Sequence, residues 1–103
     1  MKKRVSFNSL IQSNKPVLVD FTAQWCGPCR AMGPILQEVA SDLGDKASIV
    51  KVDVDKNPEL ASQLGIMGVP TFILYKKGKA HWRHSGMHSA KALKEVIEQA
   101  IAS

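Results

Sequence analysis

Trp25-Cys26-Gly27-Pro28-Cys29 contains the only two cysteines of a 103-residue chain, separated by two residues. An apolar run, Pro16-Val17-Leu18-Val19-Asp20-Phe21, stands ahead of it, and a helix pattern runs behind it from Arg30 to Leu43. A strand that passes directly into a helix places Cys26 at or just before the helix N-terminus. Free backbone N–H groups and the positive end of the helix dipole stabilise an anion there. A thiol at that place gives up its proton more readily, and the thiolate is the reactive species. A second thiol one turn on can attack a mixed disulfide formed by the first. The pair therefore points to dithiol–disulfide exchange.

Two other uses of the pair compete. Cys26 and Cys29 have zinc-ligand spacing, and His84 with His88 supplies an H-x3-H pair. The gap from Cys29 to His84 is far longer than a finger loop, however, and a single C-x2-C is half a site. Inert buried thiols are common, but they have no need of Gly-Pro between them at a strand-to-helix junction.

Val19-Asp20-Phe21, Trp25-Cys26-Gly27-Pro28-Cys29, Asp53-Val54-Asp55, Gly68-Val69-Pro70-Thr71 and Gly86 stand in the order and spacing of the thioredoxin family. The resemblance runs from about Pro16 to the C-terminus, and the pentapeptide followed by Val-Pro-Thr is a specific signature. It implies an α/β thioredoxin fold: a three-layer α/β/α sandwich around a central mixed sheet, with a redox disulfide between Cys26 and Cys29. Cys26 would be the nucleophile and Cys29 the resolving thiol, with Gly27 and Pro28 tuning the pair. Asp20 resembles the family's buried proton acceptor and Lys51 the lysine that approaches it. Trp25, Gly68, Val69, Pro70, Gly86 and Met87 would form a shallow apolar groove for an extended peptide. The resemblance also implies that no cofactor is bound. Electrons would come from NADPH through the flavin of a partner thioredoxin reductase, and disulfide-containing proteins would be the substrates.

The residues support this with their own chemistry. A carboxylate inside a strand apolar on both sides costs several kcal/mol if ionised and unpaired, so the pKa of Asp20 is expected to rise. The alternative is an Asp that caps or faces solvent. Lys51 suits a neighbour of Asp20 or a solvated lysine equally well. Pro28 fits the first turn of a helix, where a missing N–H costs nothing. Met32, Ile35, Leu36, Val39, Ala40 and Leu43 then recur at helical spacing. Pro34 is expected to kink that helix and Gly44 to end it. Pro70 at the mouth of a strand reads by itself as a trans edge proline, whereas the resemblance implies a cis Val69–Pro70 bond packed against the cysteines. Thr22 departs from the aromatic of many relatives, leaving the floor of the site less packed or filled by a neighbour. Met87 is larger than the usual small residue there.

The remaining elements follow from local signals. Ser6 caps a short helix with Phe7, Leu10 and Ile11 on one face. With about five residues ahead of Ser6, the family's first edge strand is expected to be short or absent. Ala47 to Val54 reads as a strand, and Asn57-Pro58 as the cap and first turn of a short helix ended by Gly65. Phe72 to Tyr75 is a strand joined by a Lys77-Gly78 turn to a return strand with Ala80, Trp82 and His84 on one face. Ser89 caps a last helix with a stripe of Leu93, Val96, Ile97, Ala100 and Ile101. Crossover helices imply parallel pairing first and an antiparallel pair last.

Length suits one domain, 1–103, acting as a monomer. Apolar content of 45% and charged content of 22% are ordinary for a globular chain. The net charge of +5 is scattered, with clusters at Lys2-Lys3-Arg4 and Lys76-Lys77-Gly78-Lys79 that lack interleaved aromatics. Nucleic acid is thus not an expected partner. Polar residues interrupt any signal-peptide core after Arg4, and no run reaches membrane-spanning length. The expected setting is a reducing cytoplasm, where a reactive pair is catalytic rather than structural. The expected activity is protein-disulfide reduction that maintains cytoplasmic redox homeostasis. Two alternatives stay open: an oxidase or isomerase of the same fold, against which Pro28 stands, and a binding module in which redox turnover is incidental.

Overall fold

A computed structural model describes residues 6–103. Its elements are α1 (Phe7–Ile11), β1 (Val17–Thr22), α2 (Gly27–Leu43), a 3₁₀ turn (Gly44–Lys46), β2 (Ser48–Asp53), α3 (Pro58–Gln63), β3 (Thr71–Lys76), β4 (Lys79–Ser85) and α4 (Ala90–Ala102). The order is the expected one. The short or absent first edge strand was expected ahead of Ser6, outside the described residues.

Among the described residues the strands lie in the order β2-β1-β3-β4. β1 and β2 are parallel, with Asp20 beside Lys51. β3 runs antiparallel to β1, and β4 antiparallel to β3. The β1–β3 reversal has a simple cause. Crossover helix α2 carries the chain back past the sheet, but α3 is only about 9 Å long and does not return it along a strand about 20 Å long. β3 therefore starts at the end where β1 and β2 stop, and Thr71 pairs with Phe21. The loop before β3 is thereby delivered to the carboxyl end of β1, where α2 begins.

β1 is buried from Val17 to Phe21 because the sheet is covered on both faces. Leu18, Phe72 and Leu74 pack against Met32, Leu36, Val39 and Leu43 of α2 and Leu93, Ile97 and Ala100 of α4. Val17, Val19, Phe21, Val52, Ile73 and Tyr75 pack on the other face with Ile11 and Phe7 of α1 and Leu60, Leu64 and Ile66 of the α3 region. These are the three layers of the expected α/β/α sandwich. The helix α2 is continuous across Pro34 and is closed by Gly44 at φ 57°.

Local details depart from the sequence reading in three places. Leu10 is exposed rather than packed with Phe7 and Ile11. Asn57 does not cap α3 with its side chain; its Nδ2 donates to the Asp53 carbonyl at 2.9 Å. The Lys77-Gly78 turn is present, with φ values of 53° and 83° that match a type I′ hairpin. Its return strand carries an irregularity that pairs Leu74 with Trp82 but Tyr75 with Ala80. His81 is the extra residue, so Ala80 falls on the opposite face from Trp82.

Candidate active site

Cys26 is the N-cap of α2, with extended backbone at φ −91° and ψ 110°. The N–H of Cys29 donates to Cys26 Sγ at 3.1 Å. The sulfur thus takes the place that a serine or aspartate oxygen takes in an ordinary N-cap. Pro28 lies in the first turn, where no donor is lost. Cys26 and Cys29 are joined in a disulfide, with Cα atoms 5.2 Å apart. Their exposures, 4% and 6%, are alike. The difference between the two sulfurs is therefore one of position, since Cys26 alone holds the helix terminus.

The loop before β3 closes the other side. Val69–Pro70 is cis, as the resemblance implied and contrary to the trans form favoured by the sequence alone. Cys26 Sγ lies 3.7 Å from the Val69 carbonyl oxygen. Val69 and Val54 pack against the cluster of Ala23, Cys26 and Cys29. Val54 also donates its N–H to the Thr22 carbonyl at 2.9 Å. The Gly86 N–H donates to the Pro70 carbonyl at 2.8 Å, with Gly86 at φ 99°. Gly68 accepts from Thr71 Oγ1 at 2.5 Å. These contacts bring Val69 to Cys26 and Gly86 to Pro70, with Gly68 one residue ahead of Val69. Trp25 and Met87 are exposed at 69% and 47%, large apolar groups left in water.

Trp25 is held from a distance of thirty residues. Its Nε1 donates to Asp55 Oδ2 at 2.7 Å. Asp53 Oδ1 in turn accepts from the N–H groups of Asp55 and Lys56 at 2.8 and 3.1 Å, which fixes the turn. Neither carboxylate was given a role from sequence, where they stood only as landmarks of the resemblance. Met67, 96% exposed and next to Gly68, was also missed. An apolar residue beside Gly-Val-Pro was the one available signal.

Asp20 is 1% exposed, and its Oδ1 has no hydrogen-bond partner among the described residues. It shares the sheet face of Leu18, two residues earlier, which packs under α2. It therefore lies beneath the helix that carries Cys29. Burial pushes its pKa from 3.8 up to about 6, and the charge of Lys51 pulls it part of the way back. Lys51 is exposed, yet its register position beside Asp20 makes it an electrostatic neighbour.

The histidines do not join the cysteines. His84 and His88 stack on each other with ring centroids 3.9 Å apart, and both lie beside Trp82. Near-parallel rings do not converge their nitrogens on one ion. Among the described residues no group of three or more His, Cys, Asp and Glu could hold a metal, and no helix is long and apolar enough to cross a membrane.

Comparison with known proteins agrees with the geometry. Residues 1–99 match the family described as Thioredoxin. Thioredoxin Y, chloroplastic, of Oryza sativa subsp. japonica is 50% identical over 97 residues, covering 93% of this chain and 58% of that protein. The chain thus spans somewhat more than half the length of the plant relatives it matches. A bifunctional thioredoxin reductase/thioredoxin of Mycobacterium leprae is 44% identical over 95 residues, 92% of this chain and 21% of that protein. The solved structure of a mutant thioredoxin from Halobacterium salinarum NRC-1 superimposes with a TM-score of 0.85 at 35% identity, covering 97% of this chain and 87% of that one. The cytoplasmic setting expected from the sequence is corrected by these names, because the plant relatives are chloroplastic. A folded domain of this type carries no mark of its compartment. Family match, relatives and superimposed fold agree over nearly the whole length: this chain belongs to the thioredoxin family.

Proposed function

We propose that the chain is a protein-disulfide reductase working by thiol–disulfide exchange through Cys26 and Cys29. The observation that carries this is the Cys26 sulfur at the N-cap of α2, taking the Cys29 N–H and facing the Val69 carbonyl. In the reduced protein the same N–H and the helix terminus favour a thiolate at Cys26. That thiolate attacks one sulfur of a substrate disulfide, and the other substrate sulfur leaves as a thiolate and takes a proton from water. Cys29, deprotonated toward Asp20 through water, then attacks Cys26 Sγ and expels the second substrate thiolate. Two electrons reach the substrate, and the Cys26–Cys29 disulfide seen here remains. Lys51 keeps Asp20 from being too weak an acid to give its proton back.

Trp25, Gly68, Val69, Pro70, Gly86 and Met87 form the groove in which an extended peptide is presented to Cys26. Gly27 and Pro28 tune the pair. The chain acts as a single-domain monomer and returns to the dithiol form by exchange with a thioredoxin reductase, whose flavin draws on NADPH. The reductase fused to a thioredoxin in the Mycobacterium leprae relative supports that partner.

Removing the resolving thiol tests the mechanism. Cys29→Ser keeps side-chain size and helix terminus but loses the group that attacks the mixed disulfide, and a hydroxyl is no substitute. Tagged Cys29→Ser recovered from cells under acid quench is expected to carry dithiothreitol-releasable proteins on Cys26, and Cys26→Ser almost none. Equal trapping by both variants refutes the assigned roles. Trapping by neither, with wild type still binding proteins, indicates a binding module instead.

A further inference from the structure

Arg83 takes no part in the exchange chemistry, yet it makes a forked contact with the backbone where α3 ends. It pairs with Ile73 in register, so its side chain leaves the sheet on the face covered by α3. Nη1 donates to the Leu64 carbonyl at 2.5 Å and Nη2 to the Gly65 carbonyl at 2.8 Å. Carbonyls at a helix C-terminus lack partners within the helix. A planar guanidinium fixes two of them at once in a way that a single ammonium does not.

These carbonyls open the segment Gly65-Ile66-Met67-Gly68, which leads into Val69–Pro70. Gly65 turns at φ 66°, Ile66 donates its N–H to Ala61 at 2.9 Å and packs on the core, and Gly68 accepts from Thr71. Between these anchors Met67 is 96% exposed, a few residues from the carbonyl that faces Cys26. A flexible, polarizable thioether in water, two residues along the chain from the carbonyl that faces the reactive sulfur, is free to pack against what docks there. The clamp itself spans from β4 to the end of α3, with no contact to the thiols.

Resting on the exchange function proposed above, we propose that Arg83 is a positioning residue for protein substrates: its grip on the Leu64 and Gly65 carbonyls holds the loop that sets Met67 against the bound polypeptide. A small aromatic disulfide reaches Cys26 without touching Met67 and is indifferent to the clamp. A polypeptide feels both.

The test uses pre-reduced protein in single turnovers, with insulin as the protein disulfide and 5,5′-dithiobis(2-nitrobenzoic acid) as the small one. Arg83→Met is expected to raise the half-saturating insulin concentration about fivefold, the scale of one net hydrogen bond. The limiting rate and the rate with the small disulfide stay within about twofold. Arg83→Lys recovers part of the loss. Met67→Ala raises the same constant, and the double variant is no worse than either single one, since the two act through one contact. Parallel losses on both disulfides, an unchanged half-saturating concentration in Arg83→Met, or additive effects in the double variant each overturn the proposal. Met67→Ala reports on the contact even if Arg83→Met does not fold. Wild type that reduces neither disulfide removes the function and this inference together. Wild type active on both, with Arg83→Met identical to it, removes the inference alone.

Discussion

Asp20→Asn is expected to stabilise the oxidised protein above pH 6 and to slow exchange there. The carboxyl is 1% exposed with one oxygen unpartnered among the described residues, so solvent screening does not soften its burial. Moving its pKa from 3.8 to about 6 corresponds to about 3 kcal/mol held against the ionised fold. For an acid whose folded pKa is raised, stability is fully present below the unfolded value. It is lost as pH climbs from about 4 to about 6, and the penalty is constant beyond that. Asparagine carries no charge but brings an amide that must find a partner, which returns part of the gain, leaving about 1–3 kcal/mol near pH 7. Urea unfolding of wild type and variant at closely spaced pH values between 3.5 and 8 reads this directly. The two are expected to be nearly equal at the acid end and to diverge between pH 4 and 6, with the variant flat for this group. In the reduced protein the variant is expected to resolve mixed disulfides about tenfold or more slowly, because the proton acceptor is gone. A stability difference that does not change with pH refutes the burial argument. A variant that exchanges at the wild-type rate removes Asp20 from the proton path.

Other perturbations probe the rest of the site. Alkylation of reduced protein across pH, followed by peptide mapping, is expected to label Cys26 well before Cys29, because only Cys26 occupies the helix terminus; preferential labelling of Cys29 contradicts this. Pro28→His brings an imidazole to the helix start, where its cationic form stabilises the thiolate and hence the reduced protein. Equilibration against glutathione is expected to show a potential more oxidising by about 30 mV or more, roughly tenfold in the equilibrium, and an unchanged or lower value refutes it. Asp55→Ala removes the acceptor of the Trp25 indole and is expected to cut insulin reduction about threefold, the scale of one hydrogen bond. Its tryptophan fluorescence should be more readily quenched by acrylamide, and unaltered quenching would show that Asp55 does not hold the ring.

The sequence by itself determined the features that short-range physics controls. An apolar run with one carboxylate, followed by Cys-Gly-Pro-Cys and a helical stripe, was enough to place Cys26 at a helix N-terminus, because capping, first-turn proline and periodicity act within one or two turns. Asp20 stood out for the same reason, with apolar neighbours on either side in the chain. Ser6 and Ser89 likewise cap α1 and α4 as read. Tertiary structure decided everything that depends on which distant backbone returns to the site. The cis form at Val69–Pro70 occurs where Val69 packs against a cysteine more than forty residues away, whereas local preference alone pointed to trans. The antiparallel direction of β3 came from the short reach of α3. Trp25 finds Asp55, thirty residues on, because the β2-to-α3 turn brings it there. His81 is the extra residue in a pairing with β3 that strand alternation does not reveal. Arg83 reads as one exposed strand residue among many. It becomes a clamp only because the sheet register aims it at two carbonyls left open where α3 ends.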